Sequence, residues 1–551
     1  MNILGIGPGI KLGHHDSSAA LYSNGMLIAA SEEERFKNYK HARSLFPIDA
    51  IKYCLLVGDL EINEIDIVSS PLITYPNYEK RLQRLFEFHF GFSPKIKLHH
   101  HHLCHAASSF YKSNINHSLI LTIDNSGDGA SGLVAIGHRN EISEIDYLDR
   151  AHSLGVFYSM ITQFLGFRAH NDEYKVMGLA SYGKANLVDK LEKVFKYLEN
   201  GTFYFDQSYN SRVEHSEIYT TDFGSFQESF FTGKLIELLG FKPRLYGQEI
   251  QSLHKNLAAS LQTHVEIMIL SLLRPYKIKY PEIKKLCLAG GLFLNCKLNY
   301  EIINSGLFEN VFIQPAAGDA GVSMGAALID VAKYGELIQY PKSFVFSGPQ
   351  YKKEEIINIL HRNKIPFHEE KDITEYAARK IAEGKIIGWF QGRAEWGPRA
   401  LGNRSILADP RLPKMSEIIN RQIKFREEFR PFACSILEEE LYNYFECKQL
   451  DPYMLTLARV KKEKAIMIPA IIHYDGTSRI QTVSSDLNPM FYSLISKFFE
   501  ITGIPMVLNT SLNIDGMPLA SRFDEALKVF FTSGLDILIA DSLILSKEVL
   551  L

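Results

Sequence analysis

The chain is poor in the features that would assign it quickly. Its 551 residues include only six cysteines, Cys54, Cys104, Cys287, Cys296, Cys434 and Cys447. None forms a CxxC pair, which excludes the common zinc modules and a disulfide framework and fits a reduced, cytoplasmic protein. No Walker A sequence, heptad run or low-complexity segment is found. Gly5-Ile6-Gly7-Pro8-Gly9 fails as a dinucleotide fingerprint, because Ile10 stands where the third glycine belongs and no helix is expected to follow. No apolar run is expected to reach transmembrane length, and MNILGIGPGI is too short and glycine-rich for a signal peptide, so neither a membrane nor secretion is expected. A net charge of -3 argues against a general nucleic-acid binder. What remains is a globular chain, 46% hydrophobic, long enough for about two to four domains.

The two tryptophans, Trp389 and Trp396, both lie in the stretch Gly388 to Ile436. Nine basic residues against five acidic ones fall between Arg393 and Arg430 of that stretch. Arg393, Arg399, Arg404, Lys424, Arg426 and Arg430 are interleaved with Gly, Pro, Asn, Trp and Phe. Glycine and proline set turns and let backbone approach a ligand, and guanidinium forks match phosphate or carboxylate oxygens. The stretch reads as a pocket for a small, highly charged anion; the bland alternative is a basic surface face.

Along the chain, Asn2–Gly7 and Ser18–Tyr22 read as a hairpin around a polar turn that carries His14, His15 and Asp16. A His–Asp pair suits a base oriented by a carboxylate, and equally an Asx-type turn with two exposed histidines. Met26–Phe36 reads as a strand running into acidic residues, Ile48–Val57 and Arg81–Phe90 as helices. In KIKLHHHHLCHAASSFY, His101 and His105 are four apart on a helical pattern, and so share one face. The strand Ser118–Asp124, the turn NSGDG and the strand ASGLVAIGH repeat the strand–polar turn–strand plan of the N-terminus. This points to the duplicated halves of the actin-like fold. Asp124 ends a buried strand and Asp319 sits in a Gly loop before a small-residue helix. With His101 and His105 they make a donor set suited to Fe(II), Mn(II) or Zn(II). AHNDEYKVMGLASYG offers Glu173 and Lys175, and KLCLAGGLFLN offers Gly290, Gly291 and Asn295 at a strand-to-helix corner of the kind that holds adenosine. Gln248–Lys277 reads as a helix with a break near Pro275. Gly348-Pro349 marks the domain boundary. Beyond it come a helix at Lys353–Arg362, the strand DGTSRIQTV with Arg479, the strand end Asn509-Thr510-Ser511, a helix at Phe523–Phe531 and a last strand over Leu535–Leu545.

Taken in order, these segments resemble the cephamycin/nodulation-type O-carbamoyltransferases over essentially the whole chain. HHDSSAAL with SEEERF, HHLCHAASSFY, IDNSGDG, EYKVMGLASYG, LAGGLFLN, PAAGDAG, GRAEWGPRALGNRSILADPR, IKFREEFRPFA, DGTSRIQTV and LNTSLNIDGMP carry the resemblance. It implies an α/β protein in which residues 1–345 form a duplicated actin-like (ASKHA) domain similar to the threonylcarbamoyl-transfer protein of tRNA modification. Residues 351–551 would form a YrdC-like domain. That second domain is expected to make carbamoyl-adenylate from carbamoyl phosphate and ATP with Mg, and the first to pass the carbamoyl group to a hydroxyl of a small-molecule or sugar acceptor. The implied metal ligands are His101, His105, Asp124 and Asp319, with Fe(II) the leading metal and Mn or Zn the alternatives. The implied anion and nucleotide contacts are Arg399, Lys424, Arg430, Arg479, Ser511 and Asn513. His15 with Asp16 matches the family's base.

Other functions stay in view. A sugar-kinase-like phosphotransferase leaves the basic stretch and the histidine pair without a role. A threonylcarbamoyl enzyme acting on tRNA calls for a more basic surface. The hydrogenase-maturation carbamoyltransferases carry Cys-rich zinc modules that this chain lacks, and a non-enzymatic scaffold would not need two charged pockets.

Overall fold

In the computed structural model of the chain, residues 1–9, 14–211, 218–220, 226–335, 338 and 341–550 are described. Residues 10–13 of the first polar turn lie outside them. The chain forms two compact units, one of Met1–Asn114 with Gln314–Leu551 and the other of Ile115–Ile313.

The first unit begins with a five-stranded sheet of β1 (Asn2–Ile6), β2 (Ser18–Ser23), β3 (Met26–Glu32), β4 (Ile67–Ser70) and β5 (Lys95–Leu98), in the order β3-β2-β1-β4-β5. β1 to β3 are antiparallel and β1, β4 and β5 parallel. The acidic end of the predicted Met26–Phe36 strand turns instead into a short helix, α1 (Glu34–Lys37); α2 (Ile48–Gly58), α3 (Tyr78–Phe90) and α4 (His101–Phe110) follow. The helix Ala320–Lys333 returns to lie against β1, so closely that a Cβ on Gly5 would stand 1.9 Å from the Ser323 carbonyl oxygen.

The second unit repeats this plan. Its sheet holds β6 (His117–Gly127), β7 (Ala130–His138) and β8 (Glu141–Asp149), then Lys285–Ala289 and Asn310–Ile313, with β7 and β8 on one side of β6 and the two later strands on the other. Again three strands are antiparallel and two are added in parallel. Two sheets of one order and one set of directions make the fold a duplicated actin-like one. The helix Ser252–Lys279 runs through Pro275 without the expected break. It is also long and apolar enough to cross a membrane by length and composition, against expectation, but 67% of its apolar window is buried inside the protein.

The C-terminal part of the first unit is built on a ten-stranded mixed sheet. Its central strands Arg404–Ala408, Met506–Ser511 and Ala433–Leu437 are buried almost throughout, as strands covered on both faces must be. The edges are two-residue strands, His368–Glu369 and Phe445–Glu446, too short to template further pairing. The expected single strand over Leu535–Leu545 is a hairpin of Ile537–Ala540 and Leu543–Ser546, turned at Asp541 with φ 56°.

Candidate functional site

α4 is buried on nearly every side, because small residues let the helix Ala320–Lys333 approach it: a Cβ on Gly325 would stand 1.8 Å from the Cys104 carbonyl oxygen. The helical repeat puts His101 and His105 on one face, their Nε2 atoms 3.2 Å apart. Asp319, just before the facing helix, brings Oδ1 to 3.5 Å from each of those nitrogens. One hydrogen shared among two imidazole nitrogens and a carboxylate cannot serve all three contacts, whereas a divalent cation can accept a lone pair from each. The donor set therefore fits a metal. Burial pushes the Asp319 carboxyl up, but its hydrogen bond to His105 and the charge of His15 outweigh that and hold it below the usual range.

His15 adjoins this group, with Nδ1 4.0 Å from Asp319 Oδ2. Its closer partner is Asp16, at 2.9 Å, so of the two adjacent histidines it is His15 that pairs with the carboxylate. The other oxygen of Asp16 meets Nδ1 of His41 at 2.8 Å. Burial raises the Asp16 carboxyl, but the two imidazoles more than offset it and leave it well below its ordinary value. His41 was not foreseen. It lies in a 3-10 turn, Lys40–Ala42, whose local pattern carries no signal, 25 residues from its partner.

In the second unit, Asp124, expected as a further ligand, ends the regular part of β6, where its carboxylate accepts the N–H groups of Asn125 at 2.7 Å and Gly291 at 3.2 Å. Gly290 has φ 98° and runs against β6; a Cβ there would stand 2.1 Å from the Ile123 carbonyl oxygen, so packing alone demands the glycine. Asn295 caps the helix Cys296–Asn304 and pairs with Gln262. Glu173 accepts from Ser159 at 2.7 Å and from the His170 backbone at 2.6 Å, and burial raises its carboxyl. Lys175 is buried 3.6 Å from Asp172.

The basic stretch divides in two. Arg404 was read with the anion pocket, but its guanidinium is fully buried, donates to the carbonyls of Gln391, Asn403, Pro349 and Gly392, and lies 3.7 Å over the Phe390 ring. Arg393 donates to the carbonyls of Ile28, Ser347 and Gly348. These two arginines hold the fold together. Lys424 ends a π-helical turn, Ile419–Lys424, and its ammonium donates to Ser511 O, to Ser511 Oγ at 3.2 Å and to Asn513 Oδ1 at 2.8 Å. Burial, reinforced by Arg426 and Arg430, lowers the Lys424 amine well below the ordinary lysine range. Arg430 meets Asp515 at 2.8 Å and Glu427 at 3.5 Å. Asn509 and Arg479 flank Ala433 in one row across the sheet, and Ser511, two residues on, shares their face; Thr510 faces the other side. The Asn509 amide donates to the Ala400 carbonyl, beside Arg399, at 3.1 Å. Glu395, also unforeseen, accepts the N–H groups of Leu401, Asn403 and Arg404 at 2.9 to 3.0 Å and so shapes the loop that carries Arg399.

Two family profiles span most of this framework: Carbamoyltransferase N-terminus over residues 7–71 and 68–328, and Carbamoyltransferase C-terminus over residues 378–547. The chain belongs to the carbamoyltransferase family. This carbamoyltransferase is 36% identical over 566 residues to the nodulation protein NolNO of Sinorhizobium fredii, covering 97% of this chain and 79% of that one. It is 36% identical over 457 residues to the nodulation protein NolO of Bradyrhizobium diazoefficiens, covering 81% and 79%. A protein of Synechocystis, sll1178, is 32% identical over 614 residues, 98% of this chain and 96% of that one. Among solved structures, full-length HypF in its phosphate- and nucleotide-bound form shares 15% identity at a TM-score of 0.34, over 62% of this chain and 56% of that chain. The carbamoyltransferase thus presents two groups of polar residues in its first unit, one around His101, His105, Asp319 and His15, the other around Lys424, Ser511 and Arg430.

Proposed function

We propose that this carbamoyltransferase works in two stages, one at each of those groups. In the first, carbamoyl phosphate gives its phosphate to water, and an oxygen of the resulting carbamate attacks the α-phosphorus of ATP, releasing pyrophosphate and leaving carbamoyl-adenylate. In the second, an acceptor hydroxyl attacks the carbamoyl carbon, AMP leaves, and the hydroxyl proton passes to His15. The observation that carries this reading is the buried Lys424 amine, whose charge the Arg426 and Arg430 guanidinium groups disfavour until an anion joins them. Three basic groups crowded together favour a polyanion, and once it is bound their charge offsets that which builds as a carbamate meets a triphosphate. Arg399 and Arg479 are assigned to the same anions, and YrdC-like chemistry is assigned to residues 351–551.

At the second stage Asp16 orients His15 so that the imidazole can take the proton, and Asp319 fixes its approach. A divalent metal held by His101, His105 and Asp319 would supply a positive charge to neutralise the leaving phosphate. The deciding experiment incubates the enzyme with Mg-ATP and carbamoyl phosphate and measures pyrophosphate. Release that requires carbamoyl phosphate and fails in Arg430→Ala supports the reading; release of ADP instead would replace it with simple phosphotransfer. Mass spectrometry of hydroxyl compounds incubated in the same mixture then identifies the acceptor.

A further inference from the structure

The motif SEEERF takes no part in the reaction above, yet its side chains are among the most deeply buried charges of the molecule. Arg35 is 1% exposed and Glu32 4%. The Arg35 guanidinium meets Glu32 at 3.1 Å and Glu34 at 3.2 Å, and donates to the Gly397 carbonyl at 2.6 Å. Glu32 in turn accepts the Gly397 N–H at 2.8 Å. Two charges from the end of β3 and from α1 thus grip both polar groups of one peptide residue some 360 positions later in sequence. Gly397 has φ 99°, and a Cβ there would stand 2.8 Å from the Pro315 carbonyl oxygen, so the loop passes that carbonyl at a distance only glycine permits. Arg399 follows two residues on.

The same motif reaches the other way. Glu34 Oε2 accepts the His41 N–H at 2.7 Å. His41 has φ 66°, in the left-handed region that non-glycine residues seldom enter, and its Nδ1 meets Asp16, which meets His15. Asp16 donates its own N–H to the His41 carbonyl at 2.6 Å, closing the loop on itself. An unbroken run of charge-assisted contacts therefore leads from His15 through Asp16, His41, Glu34, Arg35 and Glu32 to the backbone beside Arg399. Every member belongs to the same compact unit. Such contacts are short, directional and little screened when buried.

We propose that Glu32, Glu34 and Arg35 are positioning residues shared by both stages, holding the Asp16–His15 pair and the Arg399 loop in one fixed register. The inference rests on the two-stage reading. A plain structural staple would use Arg35 and Glu32 alone; the continuation through Glu34 to His41 ties the grip to the base. Glu34 meets Arg35 and the His41 backbone, and its charge also acts on Glu32. A change there reaches Gly397 through Arg35 and Glu32.

The test uses the full-length protein carrying Glu34→Gln, which keeps the shape and the acceptor for His41 but removes the charge facing Arg35. Glu34→Asp, which keeps the charge and shortens the reach, is the second variant should the first not fold. Two rates are read: pyrophosphate release, and AMP release from added carbamoyl-adenylate with water as acceptor. The expected result, measured well below the melting transition of the variant, is a rise in KM for carbamoyl phosphate together with a fall in AMP release, each about two- to thirtyfold. A folded variant in which either quantity stays at the wild-type value overturns the proposal, as does a loss of both that tracks the fraction unfolded. Amide hydrogen exchange is measured on the same samples. Faster exchange of the Gly397 N–H in the variant is expected, and unchanged exchange there also overturns the link. If the wild-type protein releases no pyrophosphate, the two-stage reading falls, and the exchange measurement still decides this one.

Discussion

Lys424 is the residue whose chemistry its surroundings alter most directly. Burial and two neighbouring guanidinium groups disfavour its charge, so an anion bound beside it has to draw a proton onto the amine. Carbamoyl phosphate or ATP binding should therefore take up protons from solution at pH values above the lowered value of the free amine, which calorimetry over a pH series in buffers of different ionisation enthalpy reads directly; heats independent of buffer at every pH would remove Lys424 from the anion site. Replacing Lys424 by Met removes a charge-assisted contact of about 1.5–3 kcal/mol and should slow pyrophosphate release by roughly ten- to a hundredfold. At the other group, His105→Ala should lower bound metal by elemental analysis and leave pyrophosphate release near wild type; unchanged metal content would take His105 out of the ligand set. Residue spacing alone announced the facing pair His101 and His105, because a helix brings i and i+4 together whatever the rest of the fold does. It could not announce His41 opposite Asp16 or Asp515 opposite Arg430, which meet only once separate loops are folded over one another. Nor could it separate Arg404 and Arg393, bonded only to carbonyls and a tyrosine hydroxyl among the contacts described, from Lys424, bonded also to the side chains of Ser511 and Asn513: all three are simply basic residues among glycines.

The elements that carry the site are held by close contact rather than by bulk. Gly325 lets the Asp319-bearing helix touch α4, and a methyl group there would drive into the Cys104 carbonyl. Gly325→Ala should destabilise the protein by about 1–3 kcal/mol and weaken metal retention, seen as a lowered melting temperature and reduced metal content; a variant that melts and loads metal like the wild type would show that the helices can part freely. Glu33 adds a pH dependence. It accepts the N–H groups of Ala50 at 2.8 Å and Asp49 at 3.3 Å in α2, and burial raises its carboxyl to about 7. With the folded value above the unfolded one, the folded state binds the extra proton between about pH 4.5 and 7, so this group's contribution falls as pH rises through that window. Unfolding by denaturant at several pH values should show that slope in the wild type and a shallower one in Glu33→Gln, where Asp451, raised by burial to about 6, still contributes. At this scale the sequence was informative where turns punctuate apolar runs: β1, β2, β6, β7 and the helix Lys353–Arg362 stand close to where they were expected. It misled where one apolar run conceals a reversal, as at Asp541, whose left-handed backbone no neighbouring Gly or Asn announces.

For the molecule as a whole, the contacts of Arg35, Arg393 and Tyr53 bind the first strands to the C-terminal part. A fragment of residues 351–551 would leave Arg393 without the Ile28 and Ser347 carbonyls and Arg404 without that of Pro349, buried donors whose loss is costly. Expressed alone, it should melt well below the full chain by circular dichroism; equal melting temperatures would make the junction dispensable. The duplication of two like sheets was legible, because each half opens with the same strand, polar turn and strand. The division into units was not, since nothing local says that residues 115–313 interrupt a body begun before them and finished after. That interruption also has a meaning in time. A ribosome adding roughly 5–20 residues per second needs about 10–40 s to make the intervening 199 residues from Ile115 to Ile313. Throughout that interval β1 to β5 are already synthesised but lack the helix Ala320–Lys333 that covers β1, and Arg35 waits longer still for Gly397. The first 114 residues should thus be the stage of each newly made copy most exposed to aggregation, and shelter from a chaperone should matter most before residue 333 has left the exit tunnel.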